Sequence, residues 1–100
     1  MLTAADLWQQ YAKSPDAATR EKLILEYMPL VRALARRYAN RGEPFDDLEQ
    51  VGAVGLIKAV DRYDPTRPDT FRAFAATTIL GEIRRHFRDQ TWSIRVSRGL

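Results

Sequence analysis

The chain has 100 residues, 45% of them hydrophobic and 29% charged, with a formal net charge of +3 and no cysteine. That is room for one domain with one modest core, a globular balance rather than a disordered one, and it excludes disulfides and thiolate metal sites. The positive charge is unevenly placed: residues 1–50 hold seven Lys or Arg against eight Asp or Glu, and residues 51–100 hold nine against five. The start MLTAADLWQQ has neither the basic opening nor the apolar run of a signal peptide. No apolar stretch approaches the roughly 20 residues needed to span a membrane, so no membrane partner and a cytoplasmic location are expected.

Thr3 to Lys13 reads as a short helix, with Thr3 and Asp6 as a capping box weakened by Asp in place of Glu. Leu7, Trp8 and Tyr11 share one face. Ser14-Pro15-Asp16 stops this helix and starts the next, with Pro15 at an early position. From about Asp16 to Asn40 the period is helical, through Leu23, Tyr27, Leu30, Val31, Leu34, Ala35 and Tyr38. Pro29 lies inside this run and is expected to kink or divide it. Gly42 is the expected left-handed cap. Asp46, with Glu49 three residues on, reads as the N-cap of a helix that runs to about Tyr63. Gly52 and Gly55 inside it suggest a close approach by another helix, of this chain or of a partner. Asp64 to Asp69 is a tight turn, and Asp69 or Thr70 caps the last helix, Phe71 to Arg88. Thr91 to Val96 alternates and is expected to be extended. Four or five helices and no sheet make the class all-α, a compact bundle with an extended C-terminal tail.

The helix Phe71 to Arg88 carries two faces when laid out at about 100° per residue. Phe71, Ala75, Ala76, Ile79, Leu80, Ile83 and Phe87 form a core stripe. The opposite face carries Phe74, Thr77, Thr78, Gly81, Arg84, Arg85 and Arg88. An aromatic, two hydroxyls, a bare glycine and three arginines suit single-stranded nucleic acid: guanidinium groups meet phosphates, and an exposed ring stacks on an unpaired base. The plainer reading is that Phe74 packs under another element and that the arginines are solvated or paired with Glu21, Glu26 or Asp89. The pattern alone separates neither DNA from RNA nor nucleic acid from a protein surface.

Little supports catalysis. His86, the lone histidine, has no Cys or second His beside it for a metal or a nucleophile–base pair. Asp46, Asp47 and Glu49 suit the positive end of a helix dipole better than a divalent ion. GAVG, with no strand before it and no Lys-Ser/Thr after it, is not a phosphate loop. No enzyme and no cofactor are expected.

DLEQVGAVGLIKAVDRYDP (Asp47 to Pro65), followed by FRAFAATTILGEIRRHFRDQTWSIRVSR (Phe71 to Arg98), resembles region 2 of bacterial RNA polymerase sigma factors of the sigma-70 family. LILEYMPLVRALARRYANRG (Leu23 to Gly42) resembles the first helix of that region. The form of the Thr78 to Ile94 stretch is closer to the alternative factors of the stress-response, sporulation and flagellar group than to the housekeeping one. The resemblance implies a non-enzymatic transcription initiation factor domain over residues 15–90, after a short helical segment 1–14 and before an extended segment 91–100 that begins the following sigma region. Its partners would be core RNA polymerase and promoter DNA. Asp47, Gln50, Val51, Gly52 and Ile57 would meet the β′ clamp helices. Phe74 would stack on the adenine flipped from the non-template strand of the −10 element. Thr77 and Thr78 stand where housekeeping relatives have two wedging tryptophans, so melting should be weaker and promoter choice stricter. Gly81, Arg84 and Arg85 would line the upstream contacts, and Arg88 would belong to the same DNA-binding set. Asn40 and Arg41 would lie near the downstream end of the captured strand, and Arg95 and Arg98 near upstream duplex. The chain reads as an excised fragment. The alternative is a regulatory interaction module whose same surfaces bind an anti-sigma factor.

Overall fold

The structure is a computed structural model that describes the backbone of residues 4–99 and the side chains of residues 6–89. Helix α1 spans Ala4–Lys13, α2 Ala17–Arg36, α3 Phe45–Arg62 and α4 Phe71–Gly99, with a 3-10 turn at Ala39–Arg41. No strand occurs among the described residues, which agrees with an all-α bundle.

Local chemistry explains most of the boundaries. Asp16 caps α2, its carboxylate accepting from the Thr19 N–H at 2.7 Å. Pro15 therefore precedes the cap instead of sitting in the first turn. Gly42 closes the 3-10 turn at φ 94°, a left-handed conformation that glycine adopts at no steric cost. Thr70 caps α4, its hydroxyl accepting from the Ala73 N–H at 3.1 Å. Thr3 lies outside the described residues.

Four expectations are not met. Of the kink or division expected at Pro29, the division does not occur, and α2 runs through it as one helix. Leu23, Leu30, Val31 and Leu34 are all buried around it. At roughly 1.5–3 kcal/mol each, they outweigh the roughly 3 kcal/mol that an interior proline costs. Next, α2 ends at Arg36 and leaves Asn40 to the 3-10 turn. Third, α3 starts two residues early: Pro44 is its N-cap, Asp46 and Asp47 lie in its first turn, and Glu49 pairs with Arg32 at 2.8 Å instead of closing a capping box. Last, the C-terminal stretch is not extended, because the backbone of α4 stays helical through Gly99. Thr91 to Arg98 contains neither Gly nor Pro. Once a helix is nucleated, each further residue adds a hydrogen bond, and a β-branched residue costs only some tenths of a kcal/mol.

The core lies among α2, α3 and α4. Leu30, Val31, Leu34 and Ala35 meet Leu48, Leu56, Ala59 and Val60, and both sets meet Phe71, Ala75, Ile79 and Ile83. Helix α1 adds Leu7 to the buried set and lays Trp8 across Phe71, with ring centroids 4.8 Å apart. The closest approach is between α3 and α4 at Gly55, where a Cβ would fall 2.8 Å from the Ile79 Cα and 3.1 Å from the Thr78 carbonyl oxygen. Only glycine lets the two backbones come this near.

Candidate nucleic-acid and partner interface

Burial of Phe71, Ala75, Ile79 and Ile83 fixes the rotation of α4 and turns its other side outward. Thr77, Gly81, Arg84, Arg85 and Arg88 are exposed there, and Phe74 and Thr78 are half-buried. Phe74 leans on Tyr63 at the end of α3, with centroids 5.6 Å apart. The Arg67 guanidinium covers the ring from 4.8 Å. Asp69 holds Arg67 through contacts of 2.9 and 3.4 Å, and the Arg67 partnership keeps the Asp69 carboxyl below the usual carboxylate range. The two threonine hydroxyls donate back to their own helix, Thr77 to the Ala73 carbonyl at 3.2 Å and Thr78 to the Phe74 carbonyl at 2.9 Å. Their oxygens keep lone pairs as acceptors, but their protons are engaged. A Cβ at Gly81 would meet nothing within 4 Å, so no packing demand explains this glycine.

Of the three arginines, Arg85 is paired. One of its terminal nitrogens donates to both oxygens of Glu82, at 2.9 and 3.0 Å. Neither Arg84 nor Arg88 has an ion-pair partner among the described residues. The pairs with Glu21, Glu26 or Asp89, one branch of the plainer reading, do not form, while exposed Arg84 and Arg88 and the half-buried Phe74 against Tyr63 are compatible with its other branch. At the same end of the molecule the 3-10 turn is tied to α4 twice. Tyr38 packs on Phe87 with centroids 5.8 Å apart, and Glu43 lies 3.4 Å from the His86 ring nitrogen. The turn thereby brings exposed Asn40 and Arg41 beside the arginine-bearing half of α4, and Arg41 rests over the Tyr38 ring at 5.0 Å. The side chains of Arg95 and Arg98 lie outside the described residues.

The outer side of α3 forms a second surface. Asp47, Gln50, Val54 and Ile57 follow one another at helical spacing, all exposed, with Val54 46% and Ile57 36% accessible. Val51 is half-buried at its edge and packs on the core. Gly52 does not belong to this surface. It is buried, and a Cβ there would lie 2.9 Å from the Val31 Cγ1 and 3.4 Å from the Ile79 Cγ2. Its missing side chain serves the internal contact with α2 and α4, so the expected place at a partner interface is corrected. Asp46 and Asp47 are exposed, and Glu49 is occupied by Arg32.

Three residues enter the site that sequence reasoning did not name. Arg67 was hidden because it lies in a turn, where no period reveals which ring it covers. Val54 is offset from Leu56 and Val60 and so lies on the other side of the helix, where an apolar residue does not stand out among the many of α3. Glu82 stands three residues before Arg85, a spacing that does signal a helical ion pair. Its carboxyl is held below the usual range, first by the hydrogen bond from Lys58 and then by Arg85.

A family model described as sigma-70 region 2 matches residues 23–93. Among curated proteins, the RNA polymerase sigma factor SigF of Mycobacterium tuberculosis is 49% identical over 81 residues, which are 81% of this chain and 31% of that protein. The RNA polymerase sigma-B factor of Bacillus subtilis is 44% identical over 92 residues, 92% of this chain and 35% of that protein. The RNA polymerase sigma-G factor of the same organism is 44% identical over 94 residues, 94% of this chain and 36% of that protein. The chain thus spans about a third of the length of these relatives. With the model matched over most of its length, the chain belongs to the sigma-70 region 2 family.

Proposed function

We propose that this chain is the part of an alternative sigma factor that docks on core RNA polymerase and recognises the promoter −10 element while the duplex opens. The observation that carries the reading is the division of labour between two exposed surfaces. The outer side of α4 offers an aromatic ring and guanidinium groups, and the outer side of α3 offers an apolar stripe flanked by Asp47 and Gln50. The first suits an unpaired strand and the second a protein helix. The stripe takes the β′ clamp helices, as the family resemblance implies. The role is binding, with no chemical step, and it places the protein in the cytoplasm with the polymerase.

Strand capture has a geometric requirement at Phe74. A stacked base needs about 3.5 Å on each face. The Arg67 guanidinium, 4.8 Å from the ring centroid, leaves no such gap. Arg67 and Asp69 have side chains 46% and 33% exposed, so their pair is cheap to rearrange. Arg67 moves off the ring as the base arrives and closes over the base's outer face. Arg84 and Arg88, which hold no ion pair among the described residues, meet backbone phosphates. The apolar α3 stripe also supports a second reading, that an anti-sigma factor covers Val54 and Ile57 and blocks polymerase.

The test is binding of a fluorescent non-template −10 strand, against a scrambled strand, with and without a fragment carrying the β′ clamp helices. Selective binding that strengthens with the fragment is expected. Binding to neither DNA nor fragment overturns the reading and leaves the regulator-bound module in its place.

A further inference from the structure

Three charges meet where α3 crosses α4. Glu82 reaches over Gly55, whose absent Cβ would lie 3.2 Å from the Glu82 Cγ. Glu82 Oε1 accepts from Lys58 Nζ at 2.5 Å, while both carboxylate oxygens accept from Arg85. The Glu82 side chain is only 15% exposed, against 31% for Lys58 and 51% for Arg85. One enclosed anion thus holds two cations. The more exposed cation belongs to the face that meets DNA.

The consequence follows from what happens when a phosphate competes for Arg85. With Lys58 in place, Arg85 can leave and Glu82 stays paired. Without Lys58, the same departure strands an enclosed carboxylate, and such a group is costly to leave unpaired. Arg85 would then be held back from the phosphate.

We propose that Lys58 is a positioning residue for strand capture: Glu82 holds Arg85 back on the outer face of α4, and Lys58 keeps Glu82 neutralised so that Arg85 can pass to a phosphate. This rests on the reading of α4 as the DNA face. Lys58 sits on the other helix and acts without touching the strand. Gly55 gains a second purpose, because a side chain there would crowd the path of Glu82 to Lys58.

The experiment measures affinity for the −10 non-template strand with the chain on core RNA polymerase. Lys58→Met, Glu82→Gln and the double variant are each made with Arg85 intact and with Arg85→Ala, and thermal melts check that each variant folds. Lys58→Met is expected to weaken binding roughly three- to fivefold, the scale of an ion pair of this exposure. Adding Glu82→Gln should restore the parental affinity, and Lys58→Arg should retain it. With Arg85→Ala in place, Lys58→Met and Glu82→Gln should change nothing further. An equal loss from Lys58→Met in the Arg85→Ala background would make Lys58 a plain contributor of charge and overturn the proposal. So would full affinity in Lys58→Met with Arg85 intact. If Arg85→Ala alone leaves affinity unchanged, the DNA-face reading itself fails at this residue and the linkage falls with it.

Discussion

Phe74 is the residue on which the proposed strand capture turns. Base–aromatic stacking is worth about 1–3 kcal/mol per base, so Phe74→Ala should weaken binding of the −10 single strand roughly five- to 150-fold. The ring is half-buried and lies at the edge of the core, touching Tyr63 and Arg67. The helix should survive its loss, with far-UV circular dichroism unchanged. An unaltered affinity would remove Phe74 from the site. Gly81 makes the complementary case. Nothing within 4 Å awaits a Cβ there, and an interior helical glycine costs about 1 kcal/mol relative to alanine. Gly81→Ala should therefore raise the melting temperature by roughly 4–8 °C. If this bare position reads the strand, the same variant should lose selectivity between −10 sequences. A stabilised variant with unchanged selectivity would leave the glycine without a role in recognition. Phe74 and the arginines were legible in the sequence because an aromatic on an otherwise polar face breaks the core period. The engaged protons of Thr77 and Thr78 were not, since a hydroxyl's choice between solvent and its own helix leaves no periodic mark.

At the level of elements, the helical period told almost everything about which sides face inward and little about where helices start and stop. Leu48, Leu56 and Val60 on α3, with Ile79 and Ile83 on α4, are buried as their spacing requires. A division at Pro29, the cap at Asp46 and the extended tail were local signals, and burial and helix propagation overrode them. The two glycines of α3 were legible as marks of close approach, but not as to which neighbour approaches. Both serve α4, and Gly52 serves α2 as well. The surface left for a partner is the stripe of Gln50, Val54 and Ile57. Val54→Asp or Ile57→Asp should weaken binding to the β′ clamp-helix fragment by tenfold or more, because a carboxylate buried in an apolar contact without a partner costs well over about 1.4 kcal/mol. Both side chains are exposed in this structure, so melting temperature should barely change. Clamp binding that survives both substitutions would place the polymerase on another helix.

For the molecule as a whole, the core among α2, α3 and α4 is overlaid by ion pairs that join the helices in sequence. Arg20 and Arg32 of α2 pair with Asp61 and Glu49 of α3 at 2.8 Å each, and Lys58 of α3 pairs with Glu82 of α4. Several carboxyls are held below their ordinary values: Asp61 by Arg20, Glu82 by Lys58, Asp69 by Arg67, Asp16 by the Thr19 N–H and Asp64 by the Thr66 N–H. Each folded value lies under the unfolded one, so the unfolded chain takes up protons first as the solution is acidified. The stability these groups supply is complete above the ordinary values of 3.8 for Asp and 4.5 for Glu, and it is lost progressively as pH falls below them toward the lower folded values. The melting temperature should therefore be flat from about pH 7 to pH 5 and decline below about pH 4.5. Asp61→Asn should lower the plateau and make the decline shallower, because one depressed carboxyl has gone. A melting temperature that stays level to about pH 3, or a decline equally steep in Asp61→Asn, would show that the charged links between helices add nothing to what the apolar core already supplies.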